Sequence, residues 1–397
     1  MKIARILVLF LAAALFALAG CGSSGSGSGV VVDPDPDGDG IPTVDDAFPN
    51  DPLRFAAFES DTDADPFSVV VAAAENGLLV LGGQDDLEGN TLLAHRLTFD
   101  PETELGTEAT LNPIAGNTYS AVYGVNADGL AVGESSLLAG GTLRFVPVYW
   151  LADGEEATEL GLTVTIGEGE ETFTNGAAYG VNATGQIVGE IMTDNGPMAV
   201  LWQPDADDST IYTNPVALMD NATAHAINDG GWVVGESLVG NNLRATLWMV
   251  DPLGGLEGDA IILDLDISHV ASSAYGVDGL GRIVGESITG ADIVHGALWF
   301  AHDEVAESLG ENSSAMAISA ANERIVGSAM IDGEMRAAVW DTRSTELTNS
   351  DAILTEGPSF TPLAGNSRAY AMSQGDIGAV GGLYIDRAFI AVPVIPE

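Results

Sequence analysis

From about residue 68 to the C-terminus, apolar residues come in short runs separated by turns rich in glycine, asparagine and aspartate, and the runs repeat. The fullest copy reads AYGVN-ATG-QIVGE at 178–190, followed by MAVLW at 198–202. Aligned on the last run, the copies are HRLTF (95–99), VPVYW (146–150), MAVLW (198–202), RATLW (244–248), HGALW (295–299), RAAVW (336–340) and RAFIA (387–391), with ends 41 to 52 residues apart. A period of this size marks a repeat architecture. Each unit carries four strand signals. The first is a run of small and apolar residues such as Ala178-Tyr179-Gly180-Val181-Asn182 or Ala226-Ile227-Asn228. A tight turn follows, Ala183-Thr184-Gly185 or Asp229-Gly230-Gly231, where glycine permits positive φ. The second strand is the xIVGE run at 186–190, 232–236 and 282–286, and the third ends in tryptophan. The fourth is weaker, as in ATELG (157–161), IILDL (261–265) and AESLG (306–310).

Ile187 and Val188 point to opposite faces of a strand, yet both are apolar. A blade sandwiched between neighbours has both faces buried and loses polar alternation in this way. The expected fold is therefore all-β, a β-propeller of seven blades with four short antiparallel strands each. Glycine and alanine in the first strand suit crowding near an axis. Trp150, Trp202, Trp248, Trp299 and Trp340 are read as seals between blades and not as a carbohydrate-stacking platform. The end units are degenerate, with Phe99 and Ala391 at the tryptophan position. The last unit lacks a fourth strand before Glu397, and LRFAAFES (53–60) is the segment available to supply it, which would remove an exposed edge. The pattern AxxIN-x-G-x-xVG…(H)AFxW resembles the extracellular HAF repeat. The His-Ala-Phe string survives only in part, as His95, His295 and Ala388-Phe389, while Val146, Met198, Arg244, Arg336 and Arg387 hold the histidine position. The resemblance implies an exported bacterial protein without a defined activity.

The N-terminus has a different pattern. Lys2 and Arg5 precede an apolar run from Ile6 to Leu18, the layout of a signal peptide and too short to span a bilayer. It ends in Leu18-Ala19-Gly20-Cys21, which resembles a bacterial lipobox. That resemblance implies cleavage after residue 20 and lipidation of Cys21, the only cysteine, so that acyl chains hold the protein on a membrane. Gly22 at the next position favours the outer membrane in a Gram-negative cell. Residues 21–29 are the lipidated cysteine and a Gly/Ser tether, 30–66 an acidic stalk, and 67–397 the propeller.

Within the stalk, Asp35, Asp37, Asp39, Ile41, Thr43 and Asp46 occupy positions one, three, five, seven, nine and twelve of a calcium loop, with Gly40 at the sharp turn. Ile41 contributes its backbone carbonyl, and Asp33 and Asp45 are alternative ligands. The segment resembles a thrombospondin type 3 repeat, down to Asp-Ala-Phe-Pro-Asn-Asp-Pro, which implies Ca2+ as the bound ion. Asp61, Asp63 and Asp65 lack the glycine and read as linker.

Charge narrows the partners. The chain of 397 residues carries a formal net charge of −46, and Lys2 is its only lysine. Such a surface repels nucleic acid and anionic lipid headgroups and attracts cations; it also suits a secreted protein in salty water. Glu134, Glu190, Glu236 and Glu286 follow the Val-Gly pair in four consecutive units, where units one, six and seven carry Gly83, Ser328 and Gly382. They read either as exposed strand ends on an acidic surface or as a ring of carboxylates able to bind a cation or do acid/base work. His95 and His295 lie in distant units, and His225, His269 and His302 lack ligand spacing. Arg244, Arg336 and Arg387 are expected to pair with surface carboxylates. No nucleophile elbow, nucleotide loop or zinc-helix motif is present. The expected function is a non-enzymatic, monomeric surface lipoprotein that binds a protein or glycan at the propeller face. The alternative is a polysaccharide hydrolase using loop carboxylates, although the long inserts 100–117 and 151–175 offer mostly Glu, Thr and Gly.

Overall fold

The computed structural model describes residues 55–59, 68–75, 79–87, 91–100, 105–166, 169–263, 268–300, 302, 305–321, 323–331, 333–342, 367–374, 380–384 and 387–393. Every regular element among them is a β-strand. The strands form a β-propeller: six four-stranded antiparallel sheets, one three-stranded sheet, and a separate two-stranded hairpin. In chain order the first five blades span 68–111, 120–159, 176–220, 222–262 and 269–311. Residues 313–341 give the three-stranded sheet among the described residues, and 343–366, which follow it in the chain, lie outside them. The closing blade combines 367–393 with Phe55–Glu59.

Within each blade the strands run as a meander, and first strands of neighbouring sheets pack on one another, which makes them the innermost. The closing blade's first strand also packs against the first blade's, so the circuit is complete. Its outermost strand comes from the far end of the chain, with Phe55 opposite Pro393 and Glu59 opposite Phe389. The LRFAAFES segment thus has the closing role expected of it, and the propeller reaches back into the stretch assigned to the stalk. Pairing the two ends covers an edge that would otherwise template aggregation.

The blades are held together on their faces. Ile187 and Val188 are both fully buried, as the loss of alternation requires. Trp150, Trp202, Trp248, Trp299 and Trp340 are at most 1% exposed, which makes them core and not a ligand platform. Several also bridge blades: Trp150 Nε1 donates to Asn112 O at 2.8 Å, Trp202 Nε1 to Gly161 O at 2.8 Å, and Trp340 Nε1 to Leu309 O at 3.2 Å. Each acceptor lies at the outer end of the preceding blade, so a large apolar surface and one buried hydrogen bond tie each such wedge to its neighbour.

The asparagine of the repeated GVN string is a second tie. In each turn its Oδ1 accepts the backbone N–H groups two and four residues on, as Asn228 does from Gly230 and Trp232, both at 2.9 Å. Its Nδ2 reaches across to the next blade: Asn126 to Asn182 O (3.1 Å), Asn182 to Asn228 O (3.2 Å) and Asn228 to Asp278 O (2.7 Å). The turn glycines 129, 185, 231 and 281 have φ between 77° and 90°, as expected of their position. Asp278 has no amide to donate, and there Arg282 takes over, with Nε on Asp278 Oδ2 at 2.7 Å and Nη1 on Thr342 Oγ1 at 2.9 Å.

Candidate functional site: an axial ring of glutamates and aromatic residues

A single backbone irregularity builds the site. In every one of the seven propeller sheets, the pairing of the innermost strand with the second slips by one residue. The residue passed over is Val71, Tyr123, Tyr179, His225, Tyr275, Met316 or Tyr370. A bulge of this kind leaves one residue unpaired and re-aims its side chain. Opposite it lies the glycine of the Val-Gly pair. A Cβ at Gly133, Gly189, Gly235, Gly285 or Gly327 would lie 1.9 to 2.0 Å from a carbonyl oxygen of the innermost strand. The repeated glycine is therefore a requirement of the bulge, because no other residue lets the two backbones approach so closely.

The residue after that glycine is the glutamate. Glu134 stands opposite Ala121, Glu190 opposite Ala177, Glu236 opposite Thr223 and Glu286 opposite Ser273. Register corrects the end units. The position opposite Val69 is Gln84 and that opposite Arg368 is Leu383, one residue beyond the Gly83 and Gly382 that sequence alignment suggested, while Ser328 holds it in the three-stranded sheet.

The carboxylates are not exposed strand ends. Glu190 is 4% and Glu236 6% exposed, and Glu134 and Glu286 are partly buried. Glu134 accepts from Tyr119 Oη at 2.7 Å and from Tyr123 Oη at 3.0 Å. Glu190 accepts from Tyr179 Oη at 3.2 Å and, across the blade boundary, from Thr223 Oγ1 at 2.8 Å. Glu236 accepts from Ser273 of the fifth blade. Glu286 accepts from Tyr275 Oη at 3.0 Å and from Ser314 Oγ of the three-stranded sheet at 3.1 Å. The bulged rings pack on one another in succession, tilted for Tyr123–Tyr179 and Tyr179–His225 and T-shaped for His225–Tyr275, with centroids 5.3 Å, 5.7 Å and 5.5 Å apart.

Burial sets the electrostatics. Loss of water raises the pKa of all four glutamates, and the hydroxyl donors only partly oppose it. Glu236 is pushed up to about 7, burial first, with Glu286 and Glu190 adding repulsion. Burial drives His225 down to about 4, so it is neutral at physiological pH. The phenols of Tyr123, Tyr179 and Tyr275 rise well above their ordinary value and stay protonated donors.

The other candidate residues fall elsewhere. Cys21 and the loop of Asp35, Asp37, Asp39, Ile41, Thr43 and Asp46, with Asp33 and Asp45, lie outside the described residues. His95 sits 2.8 Å from Glu108 within the first blade, while His295 packs edge-on against His269 at 4.9 Å, a proximity that sequence spacing did not reveal. Arg244 Nη2 donates to the Leu263 carbonyl at 3.2 Å, a backbone acceptor where a surface carboxylate was expected. The 151–175 insert forms a small hairpin, Thr163–Ile166 with Gly169–Thr172. It borders a cleft of about 400 Å³ lined by Arg144, Glu159, Leu162 and Phe173 among others. The sequence missed the aromatic half of the axial site. The signal was present in the ring at the centre of AVYGVN, AAYGVN, TAHAIN and SAYGVD.

No protein-family model matches the chain, and no curated protein matches it. Among solved structures, the β-propeller domain of the Trilobed protease from Pyrococcus furiosus is similar at a TM-score of 0.49 and 8% identity, covering 84% of this chain and 95% of that one. The Pyrococcus horikoshii acylaminoacyl peptidase gives 0.43 at 10% identity, covering 80% of this chain and 49% of that one. The Trypanosoma rangeli sialidase gives 0.33 at 9% identity, covering 86% and 57%. Likenesses this distant say nothing of activity, and the propeller assignment rests on the sheets described above.

Proposed function

We propose that the chain is a non-enzymatic, lipid-anchored binding platform of the bacterial cell envelope, most naturally of the outer membrane, whose ligand seats at the axial ring of the propeller. In this reading Cys21 carries the lipid, residues 22–29 are the tether, and the loop from Asp35 to Asp46 stiffens the stalk with Ca2+. The three-stranded sheet counts as a blade, which makes the ring sevenfold. One observation carries the reading: four consecutive blades place the same two side chains, a ring and a glutamate, at the same axial station. Repetition of like groups makes a surface for recognition, whereas catalysis draws unlike groups to one point.

The test of the platform is a glycan array and a peptide library probed with the full chain, with Glu190→Gln and Glu236→Gln as site controls. Loss of a bound ligand in those variants supports it; retention moves the ligand off the axis. For the stalk, calcium titration should raise the melting temperature, and Asp35→Ala with Asp37→Ala should remove the gain. A second reading has its own support. Glu236, with its pKa near 7 beside Glu190 and Glu286, is an acid paired with other carboxyls, the pattern of a glycoside hydrolase. Turnover of a polysaccharide panel that disappears in Glu236→Gln would favour it.

A further inference from the structure

We propose that the ligand of the axial ring is an organic cation: an ammonium or guanidinium group laid against the faces of Tyr123, Tyr179, His225 and Tyr275, with Glu134, Glu190, Glu236 and Glu286 supplying the opposing charge. This rests on the binding-platform reading and names its ligand class.

The first argument is an internal control. The three-stranded sheet has the same bulge, between Ala315 and Ala317, and the same glycine approach, Gly327 to Ser314 O at 2.0 Å. It carries Met316 and Ser328 where the four preceding blades carry a ring and a glutamate. The fold therefore forms without either residue, and the pair is surplus to the needs of the backbone. In the second to fifth blades the two come together each time.

The second argument is charge. Among the described residues, the hydrogen bonds made to the four carboxyls come from hydroxyls of tyrosine, serine and threonine; the arginine at the corresponding inner-strand place of the closing blade, Arg368, interacts with Tyr370. Neutral His225 brings no positive charge to them. Buried carboxylates without a cation are costly, so the set must either hold protons or accept a cation from outside.

The third argument selects the kind of cation. The phenol hydroxyls of Tyr123, Tyr179 and Tyr275 are committed to glutamates, so what these rings offer a ligand is their faces and edges. The four rings form a continuous, partly exposed band. A cation within about 6 Å of a ring centroid is attracted by its quadrupole, and the attraction grows where water is excluded. Among the described residues no three acidic or histidine side chains cluster tightly enough to enclose a metal ion. An organic cation, with its charge spread over a larger volume, suits carboxyls spaced one per blade.

The experiment is calorimetric titration of the full chain at pH 8 with tetramethylammonium chloride, matched by sodium chloride and by tert-butanol as a neutral counterpart of similar size. Saturable binding of tetramethylammonium alone is expected. It should weaken at least tenfold in the Glu190→Gln/Glu236→Gln double variant, and again at least tenfold in Tyr179→Leu. Met316→Leu, outside the band of four rings, should stay within about threefold of the parent. Binding should also weaken at least tenfold between pH 8 and pH 5, as the carboxyls take up protons. Melting curves identify any variant that fails to fold, and the glutamine variants then decide alone. No saturable heat at pH 8, or equal binding by the double variant, overturns the inference. If a glycan or tert-butanol binds at the arc while tetramethylammonium does not, the platform survives and the cation falls. If no probe is sensitive to these substitutions, both fall.

Discussion

The second to fifth blades and the three-stranded sheet differ in what they present to the axis, not in how they are built. Both have the inner bulge, the glycine beneath the inner carbonyl and a buried tryptophan, which at Trp150, Trp202 and Trp340 is hydrogen-bonded back to the previous blade. The former add a ring and a buried glutamate, whereas the latter offers Met316 and Ser328. Even the turn differs: glycine has positive φ at 129, 185, 231 and 281, while Glu323 takes φ 52° in the three-stranded sheet. The contrast separates two kinds of constraint. One set of residues is imposed by the bulge and the blade interface, and the other is free to vary and so reports on chemistry.

The sharpest way to break this comparison is at the glycine. Gly235→Ala would put a methyl 1.9 Å from Thr223 O, and Gly327→Ala 2.0 Å from Ser314 O. Both should cost about 4 kcal/mol or more, read by urea denaturation, since backbone must move in either blade. A mild effect at Gly327 alone would show that the two regions do not share one device. Next, Trp202→Ala removes a fully buried ring and its bond to Gly161 O, with an expected loss of about 3–4 kcal/mol. Trp340→Ala should match it if the seals are equivalent. Asn228→Ala leaves Asp278 O without its cross-blade donor and the turn amides without their acceptor, for about 2 kcal/mol.

The smallest effect runs in the opposite direction and belongs to the acidic arc alone. Glu236 has its folded pKa raised to about 7 from 4.5. The native state therefore binds the proton more tightly than the unfolded chain does. Stability from this group is present in full below pH 4.5 and is lost as pH rises through about 7. Glu236→Gln should accordingly stabilise the protein by roughly 1–2 kcal/mol at pH 8 and leave it nearly unchanged at pH 4. Ser328→Ala should show no such pH dependence. Melting curves at the two pH values check both, and a destabilised Glu236→Gln at pH 8 would mean that the arc already holds a counter-ion.

Much of the architecture was legible because it is local. The spacing of the Trp-terminated runs gave the strand meander, the apolar pair Ile187-Val188 gave burial on both faces, and the orphan run at 53–60 gave the closing strand. The turn glycines could be read for the same reason: positive φ is a property of one residue. The axial site was only half visible. Four glutamates could be aligned, but whether they faced water or the interior could not be decided from strand alternation, because the second strand is buried on both faces and the bulge that aims the rings lies on the neighbouring strand.

Gly83 and Gly382 appeared at the glutamate station because each follows another glycine, Gly82 or Gly381, that alignment takes for the glycine of the Val-Gly pair, when pairing puts Gln84 and Leu383 there. Composition and period by themselves determined a ring of similar wedges, since such units can bury both faces only against copies of themselves. Which side chains meet at its centre was settled by pairing register and by contact between blades. Thr223 reaches Glu190 and Ser314 reaches Glu286 across boundaries that separate them by 33 and 28 residues, and no local pattern encodes a hydrogen bond over that distance.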